Sequence, residues 1–171
     1  IRDDCVPIMD SDARVVPLPA AWEPIGSHGS AGAVFYQAGS LKIKGDGGTT
    51  VEDGELWSAG KLLVWKPTKK GDKVSLTLNV AAAGRYAIVM TCAMTPQSGS
   101  FAATCDGNSL LWGDNERIVN LRSPHQTMLR NFFWNPVSLK PGEHVLELEA
   151  TDEGLPGSTI GLDFIWLHPR R

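Results

Sequence analysis

The sequence predicts an all-β fold, an antiparallel β-sandwich of about eight to ten strands in two sheets. Eighteen glycines and eleven prolines interrupt the 171 residues about every six positions. No stretch between them has the 3.6-residue apolar period of a long amphipathic helix. From Lys61 onward, short apolar or alternating runs are separated by turn-forming residues, which is typical of a sandwich or a barrel.

The strands after residue 60 follow one another closely. KLLVWK (61–66) ends before Pro67, and the next run, KVSLTLNV (73–80), alternates apolar with polar residues, so that its apolar side chains share one face. RYAIVMTCAM (85–94) is apolar at almost every position, which indicates a central strand that is covered on both faces. The remaining predicted strands are SFAATC (100–105), SLLW (109–112), RIVNL (117–121), MLRNFFWNPVSL (128–139), HVLELEA (144–150) and STIGLDFIWL (158–167).

The first 60 residues have a different character. They contain GSHGSAG (26–32) and GDGG (45–48), with short apolar pieces between. We interpret this part as one or two early strands joined by long loops that pack on the rim of the sandwich. A separate domain of that length is not expected, so residues 1–171 are predicted to form a single domain with its core in residues 61–167.

Charge and hydropathy exclude two classes of partner. The chain has 16 Lys and Arg residues against 19 Asp and Glu residues, a net charge of −3, which argues against a strongly basic nucleic-acid binder. No run approaches the roughly 18 apolar residues that span a bilayer. We therefore expect neither nucleic acid nor a membrane as a partner.

Three cysteines, Cys5, Cys92 and Cys105, are too few and too scattered for a disulfide framework or a paired zinc site. Cys92 and Cys105 lie in two successive predicted strands, centred on residues 98–99. They would either bridge across a hairpin or remain buried thiols that pack as small apolar groups.

No set of residues indicates a catalytic centre. His28 in HGSAG stands where the esterase motif requires glycine, and the four histidines lack the spacing of a zinc site. Glu147 and Glu149 share the outward face of one predicted strand at a separation compatible with glycoside hydrolysis, and the acids of VEDGEL (51–56) are a further candidate. A small hydrolase is therefore a third hypothesis, behind two non-catalytic ones, and no residue is assigned a catalytic role.

Three of the six tryptophans, Trp57, Trp112 and Trp134, stand beside turn-forming residues. An exposed indole offers a flat apolar face to the C–H face of a sugar ring, while nearby polar side chains can bind hydroxyl groups. These tryptophans are predicted to contact carbohydrate, with packing under loops as the alternative.

Four segments carry a family resemblance: GDKVSLTLNVAAAGRYAIVM (71–90), DGNSL (106–110), VSLKPGEHVLELEATD (137–152) and IGLDFIWL (160–167). Together they resemble the galactose-binding-like jelly roll. Within that group the chain is most similar to carbohydrate-binding modules of the family 6 and 35 type and to accessory sandwiches of bacterial glycoside hydrolases. The likeness covers about residues 61–167, and its turn residues specify a fold rather than a ligand.

The resemblance implies a set of site residues. Its cleft aromatics correspond to Trp65 and to Trp134 or Phe132. The family's asparagine corresponds to Gly161, so Ser158 or Thr159 would have to replace it. The family's structural calcium would fall at Asp163. The resemblance further implies an extracellular or cell-surface location.

We therefore predict a non-catalytic module that binds a polysaccharide or oligosaccharide, accessory to a glycoside hydrolase. The predicted ligand-binding residues are Trp65, Trp134, Trp57, Trp112, Ser158 and Thr159. The alternative is a structural jelly-roll module that packs against a catalytic domain or subunit without binding sugar.

Overall fold

Two antiparallel sheets make up the computed structural model, which describes residues 33–124, 127–151 and 158–170. The first sheet has seven strands and the second has six. In chain order the strands of the described residues are β1 (Val34–Gln37), β2 (Lys42–Gly45), β3 (Gly48–Asp53), β4 (Lys61–Lys66), β5 (Lys73–Val80), β6 (Gly84–Met94), β7 (Ser100–Cys105), β8 (Asn108–Ser109), β9 (Ile118–Asn120), β10 (Met128–Phe133), β11 (Val137–Leu139), β12 (Gly142–Ala150) and β13 (Ile160–Arg170).

The seven-stranded sheet has the order β10-β6-β13-β4-β3, with β1 paired to β13 and β11 paired to β6. The six-stranded sheet has the order β2-β5-β12-β7-β8, with β9 paired to β7. The predicted all-β sandwich is therefore confirmed. The strand count exceeds the eight to ten expected, because short strands also form in the glycine-rich part and in the connections.

The core between the sheets is built by period-two alternation. On β5 the residues Val74, Leu76, Leu78 and Val80 are buried, as the sequence pattern predicts. Burying one such side chain contributes about 1.5–3 kcal/mol relative to leaving it in water. The β6 strand is buried over almost its whole length, and β10 and β13 pair with its two edges.

Residues 33–60 are more regular than predicted. Instead of long loops with one or two strands, they contribute β1 and β3 to the seven-stranded sheet and β2 to the six-stranded sheet. The whole of GSHGSAG (26–32), including His28, lies outside the described residues, as does Cys5.

Cys92 and Cys105 do not face each other across a hairpin. Their strands, β6 and β7, belong to different sheets, because the turn after Met94 carries the chain from one sheet to the other. Both thiols are free and buried. Burial, with a smaller effect of Asp106, raises the pKa of the Cys105 thiol to about 11, and burial also raises that of Cys92. The buried-thiol alternative is the one the structure adopts.

A polar clasp joins the turn after β7 to the start of β12. His144 Nδ1 lies 2.6 Å from Asp106 Oδ2, and His144 Nε2 lies 2.7 Å from the carbonyl oxygen of Lys140. The Val145 N–H donates to Asp106 Oδ1 at 2.9 Å. Both ring nitrogens of His144 thus face acceptors, and only the imidazolium can donate to both.

No helix among the described ranges has the length and hydropathy that crossing a membrane requires.

Candidate functional site

A pocket of about 300 Å³ opens on the outer face of the seven-stranded sheet, the face turned away from the core. Its floor is apolar and its rim carries hydroxyl groups and charges. The floor is formed by Leu62, Val64, Ala93 and Gly161, with Trp57 as one wall. The rim consists of Glu52, Lys66, Thr95, Ser98, Thr127 and Thr159.

Strand register brings the floor together. Gly161 of β13 pairs with Val64 of β4 on one side and with Ala93 of β6 on the other. Because Leu63 and Trp65 point into the core, the alternating residues of β4 point outward into the pocket.

Gly161 keeps this floor flat. A Cβ atom at residue 161 would lie 3.0 Å from Ala93 Cβ and 3.1 Å from Leu62 Cδ2, closer than ordinary van der Waals contact. The family's asparagine therefore does not fit at this position without displacing its neighbours.

The loop between β3 and β4 holds the Trp57 indole in place. It closes on itself, since the Gly54 N–H donates to the Gly60 carbonyl at 3.0 Å and the Gly60 N–H donates to the Trp57 carbonyl at 2.9 Å. The indole edge rests on Gly54, where an added Cβ would lie 2.6 Å from Trp57 Nε1. Ala59 and Gly60 have φ angles of 54° and 71°, the left-handed conformation that lets the chain turn back into β4.

Asp163 anchors the same loop to the sheet. The Ser58 N–H donates to Asp163 Oδ1 at 2.9 Å and the Ser58 hydroxyl donates to Oδ2 at 2.8 Å. Asp163 stands at a β-bulge between Leu162 and Phe164 and is fully buried. Burial raises the pKa of its carboxyl group, and the hydrogen bonds from Ser58 offset part of that rise.

The calcium ion predicted at Asp163 stays a prediction. Both carboxylate oxygens already accept hydrogen bonds, and Ca²⁺ takes six to eight oxygen ligands. Within the described ranges no three His, Cys, Asp or Glu side chains converge on one point. The structure gives Asp163 the role of a loop anchor.

Thr159 is placed on the rim by the turn that follows β6. Its N–H donates to the Gln97 carbonyl at 3.1 Å, and its carbonyl accepts from the Gly99 N–H at 2.9 Å. The hydroxyls of Thr95 and Ser98 are 3.0 Å apart and bond to each other, which fixes the turn. The Thr159 hydroxyl makes no hydrogen bond to the described residues, so it is available to a ligand.

Two predicted binding residues, Trp65 and Trp134, are wrong as ligand contacts because both rings lie in the core. Trp65 is 0% exposed and its Nε1–H donates to the Asp46 carbonyl at 2.8 Å. Trp134 is 2% exposed and packs against Phe101 and Phe132. Phe132, the other aromatic that the resemblance suggested, is also buried.

Trp57 and Thr159 are the two predicted residues that the structure brings into one pocket. Ser158 is buried against a crevice of about 10 Å³, room for about one water molecule and too small for a sugar. Trp112 lies outside the pocket, half-buried edge-on against Phe132, with its Nε1–H donating to the Ile118 carbonyl.

Sequence reasoning missed the floor of the pocket. Leu62 and Val64 were assigned only to a strand, yet four consecutive apolar residues in KLLVWK place apolar side chains on both faces of that strand. An unbroken apolar run in a strand therefore indicates that the outer face of the sheet is apolar as well.

Glu147 and Glu149 lie on the six-stranded sheet, away from the pocket. Lys73 Nζ on the neighbouring strand is 2.8 Å from Glu147 and 3.6 Å from Glu149. Both carboxylates of β12 therefore form ion pairs with Lys73 of β5, and these contacts give them a structural role between the two strands.

Solved structures with the same architecture come from enzymes that act on polysaccharides and from isolated binding modules. A xanthan lyase from Paenibacillus matches 80% of this chain with 13% of its own, at a TM-score of 0.71 and 20% identity. A family 35 carbohydrate-binding module from Clostridium thermocellum matches 82% of this chain over its whole length, at a TM-score of 0.57 and 18% identity. This chain has the same sandwich fold as these structures. The chain also resembles part of a β-1,4-mannanase from Podospora anserina that carries a family 35 binding module, at a TM-score of 0.56 and 15% identity, and corresponds to 28% of that protein.

The recognised resemblance is thereby confirmed at the level of the fold. No family model and no curated protein matches the sequence of this chain. It spans about one eighth of the xanthan lyase and just over a quarter of the mannanase.

Proposed function

We propose that the module binds carbohydrate non-catalytically in the pocket beside Trp57. The observation that carries the proposal is the joining of an apolar floor, a fixed indole wall and a free Thr159 hydroxyl in one opening. An indole and aliphatic side chains fit the C–H faces of a pyranose ring, while rim hydroxyls fit its polar edge.

The loop anchors support binding because they place the indole before any ligand arrives. Trp57 rests on Gly54, and Ser58 beside it is tied to Asp163 by two hydrogen bonds. A wall that is ordered in the free protein loses less conformational entropy on binding than a mobile one.

The rim carries a charge of each sign, Glu52 and Lys66, so the proposal does not restrict the ligand to neutral or to acidic sugars. The probe panel therefore contains both classes: β-1,4-mannohexaose, hexagalacturonic acid and oligosaccharides from a xanthan-lyase digest. The first and last are chosen because structurally similar enzymes act on mannan and on xanthan.

Isothermal titration of the panel against the parent and Trp57→Ala tests the proposal. Loss of the indole wall should weaken binding by about tenfold or more, since an aromatic contact of this kind is worth about 0.5–1.5 kcal/mol beyond the area it buries. Leu56→Ala is the matched control, because Leu56 is the neighbouring residue of the same loop and is 68% exposed. The proposal is contradicted if the parent and Trp57→Ala bind with equal affinity, or if the parent binds no member of the panel.

Thr159→Val separates hydrogen bonding from shape. Valine has nearly the volume of threonine and lacks the hydroxyl, so the variant should bind more weakly while unfolding at nearly the parent temperature. An unchanged affinity assigns sugar recognition to other rim groups.

We further propose that the module is accessory to a larger polysaccharide-active enzyme that works outside the cell. The support is that the module corresponds to only a small part of the xanthan lyase and of the mannanase. Mass measurement of the natural protein, recovered from culture medium with an antibody to the module, tests this. A natural product of about 18 kDa that is found only inside cells contradicts it.

A further inference from the structure

A second feature of the outer face lies beyond the pocket, on β10. The outward residues of that strand are Leu129, Asn131 and Phe133, which pair with Ala93, Thr91 and Val89 of β6. Phe133 is 51% exposed, whereas its chain neighbours Phe132 and Trp134 are buried.

The register connects this strand to the pocket. Ala93 belongs to the pocket floor and has Leu129 as its partner on β10. The next two outward positions along β10 are Asn131 and Phe133, so the track from Leu129 to Phe133 is roughly 13 Å long, at 3.3 Å per residue. One continuous surface leads from the pocket to an exposed aromatic ring.

Asn131 gives this track a directed polar group. The Thr91 hydroxyl donates to Asn131 Oδ1 at 2.6 Å, and Thr91 itself is buried. With its oxygen engaged, the amide of Asn131 is held with its NH₂ group free of bonds to the described residues. An exposed ring next to a fixed pair of N–H donors combines the two contacts that sugar recognition uses, a flat apolar face and a hydroxyl partner.

We propose that Asn131 and Phe133 form a second sugar subsite, so that the ligand is an oligosaccharide chain that fills the pocket with one unit and continues along β10. The occupant is a glycan rather than a protein, because the track contains a fixed amide and is continuous with the pocket floor. This inference rests on the proposed carbohydrate binding and adds that chain length determines affinity.

Asn131→Asp and Phe133→Ala test the subsite with little risk to folding. Aspartate retains an oxygen that accepts from the Thr91 hydroxyl and removes the two N–H donors. Phe133 is half-exposed, so its truncation leaves the core intact. The matched control is Ile118→Ala, because Ile118 is also 51% exposed and lies on β9 in the opposite sheet.

The experiment is an NMR titration of ¹⁵N-labelled protein with each member of the probe panel and with the corresponding monosaccharides. The Trp57 indole N–H reports on the pocket, and the Asn131 side-chain amide reports on the track. We expect both signals to shift with the oligosaccharides and only the indole signal to shift with the monosaccharides. Each subsite variant should lower oligosaccharide affinity about three- to tenfold and leave monosaccharide affinity unchanged.

The outcomes separate the two proposals. Shifts at Trp57 alone, with equal oligosaccharide affinity of the parent and both variants, overturn the subsite and leave the pocket. Shifts at Asn131 alone overturn the pocket as the binding site and support the track. No shift at either position with any probe overturns both.

Discussion

Replacing Asp163 by alanine tests whether the sheet holds the loop that carries Trp57 in place. The substitution removes the acceptor of both hydrogen bonds from Ser58, at 2.9 Å and 2.8 Å. The loop from Gly54 to Gly60 would then keep only its own internal hydrogen bonds, and Trp57 would lose its fixed position.

The size of the effect follows from those two bonds. Hydrogen bonds to a charged acceptor contribute about 1.5–3 kcal/mol each, and relief from burying a carboxylate offsets part of their sum. We therefore expect Asp163→Ala to lower the free energy of unfolding by about 2–4 kcal/mol. For a domain of this size, that corresponds to a fall of roughly 4–16 °C in the melting temperature.

Asp163→Asn is predicted to behave differently. The amide oxygen can accept from the Ser58 N–H, while the amide NH₂ donates to the Ser58 hydroxyl, so the loop stays anchored. Burial raises the pKa of Asp163 in the folded protein, so protonation of this carboxyl group adds stability that is fully present below its ordinary pKa and is lost as the pH rises through the folded-state pKa. Asparagine does not titrate, so the Asp163→Asn variant should lack that loss as the pH rises.

Thermal unfolding followed by circular dichroism, at pH 3 to 8, measures both variants, and titration with the probe panel measures binding. Asp53→Ala is the control, because Asp53 forms an exposed ion pair with Lys61 at the base of the same loop and such pairs contribute little. If Asp163→Ala has the same melting temperature as Asp53→Ala and binds the probe panel with the affinity of the parent, the anchoring role of Asp163 is refuted.

Three further predictions concern the clasp, the thiols and the pocket floor. The hydrogen bond to Asp106 raises the pKa of His144 despite burial, and it lowers that of Asp106. Stability should therefore peak between about pH 4 and 6.5 and fall as His144 deprotonates above that range, and a flat pH profile of the melting temperature would contradict this. The thiols of Cys92 and Cys105 should react with a disulfide reagent at pH 8 only after denaturation, and rapid labelling of either of these two residues in the native protein, located by peptide mass, would show that they are not buried as described. Gly161→Asn should fill the pocket floor and weaken binding of the probe panel, whereas tighter binding would show that the floor can rearrange.

The sequence predicted the sheets well, because alternation on strands such as β5 reports directly on burial. It failed where both faces of a strand are apolar. In KLLVWK, residues 62 to 65 are all apolar, and nothing local states that Trp65 points inward while Leu62 and Val64 point outward. The packing of the second sheet decides which alternate residues of β4 face the core.

The same ambiguity applies to the aromatic run on β10. Phe132, Phe133 and Trp134 are consecutive, so alternation requires that ring positions divide between the two faces. The position left exposed is the middle one. Trp57 and Thr159 are positioned by turns rather than by strand parity, and both are half-buried residues of the pocket. Their contact with a sugar stays a prediction.

The loop that presents Trp57 starts and finishes at one hydrogen bond, between the Gly54 N–H and the Gly60 carbonyl. Positions 55 to 57 lie inside this closed loop and apart from Ser58, which carries the anchor to Asp163, so these three positions can be exchanged without altering the pairing of β3 with β4. Libraries randomised at positions 55 to 57 alone would then be a direct way to obtain binders of new glycans on an unchanged scaffold.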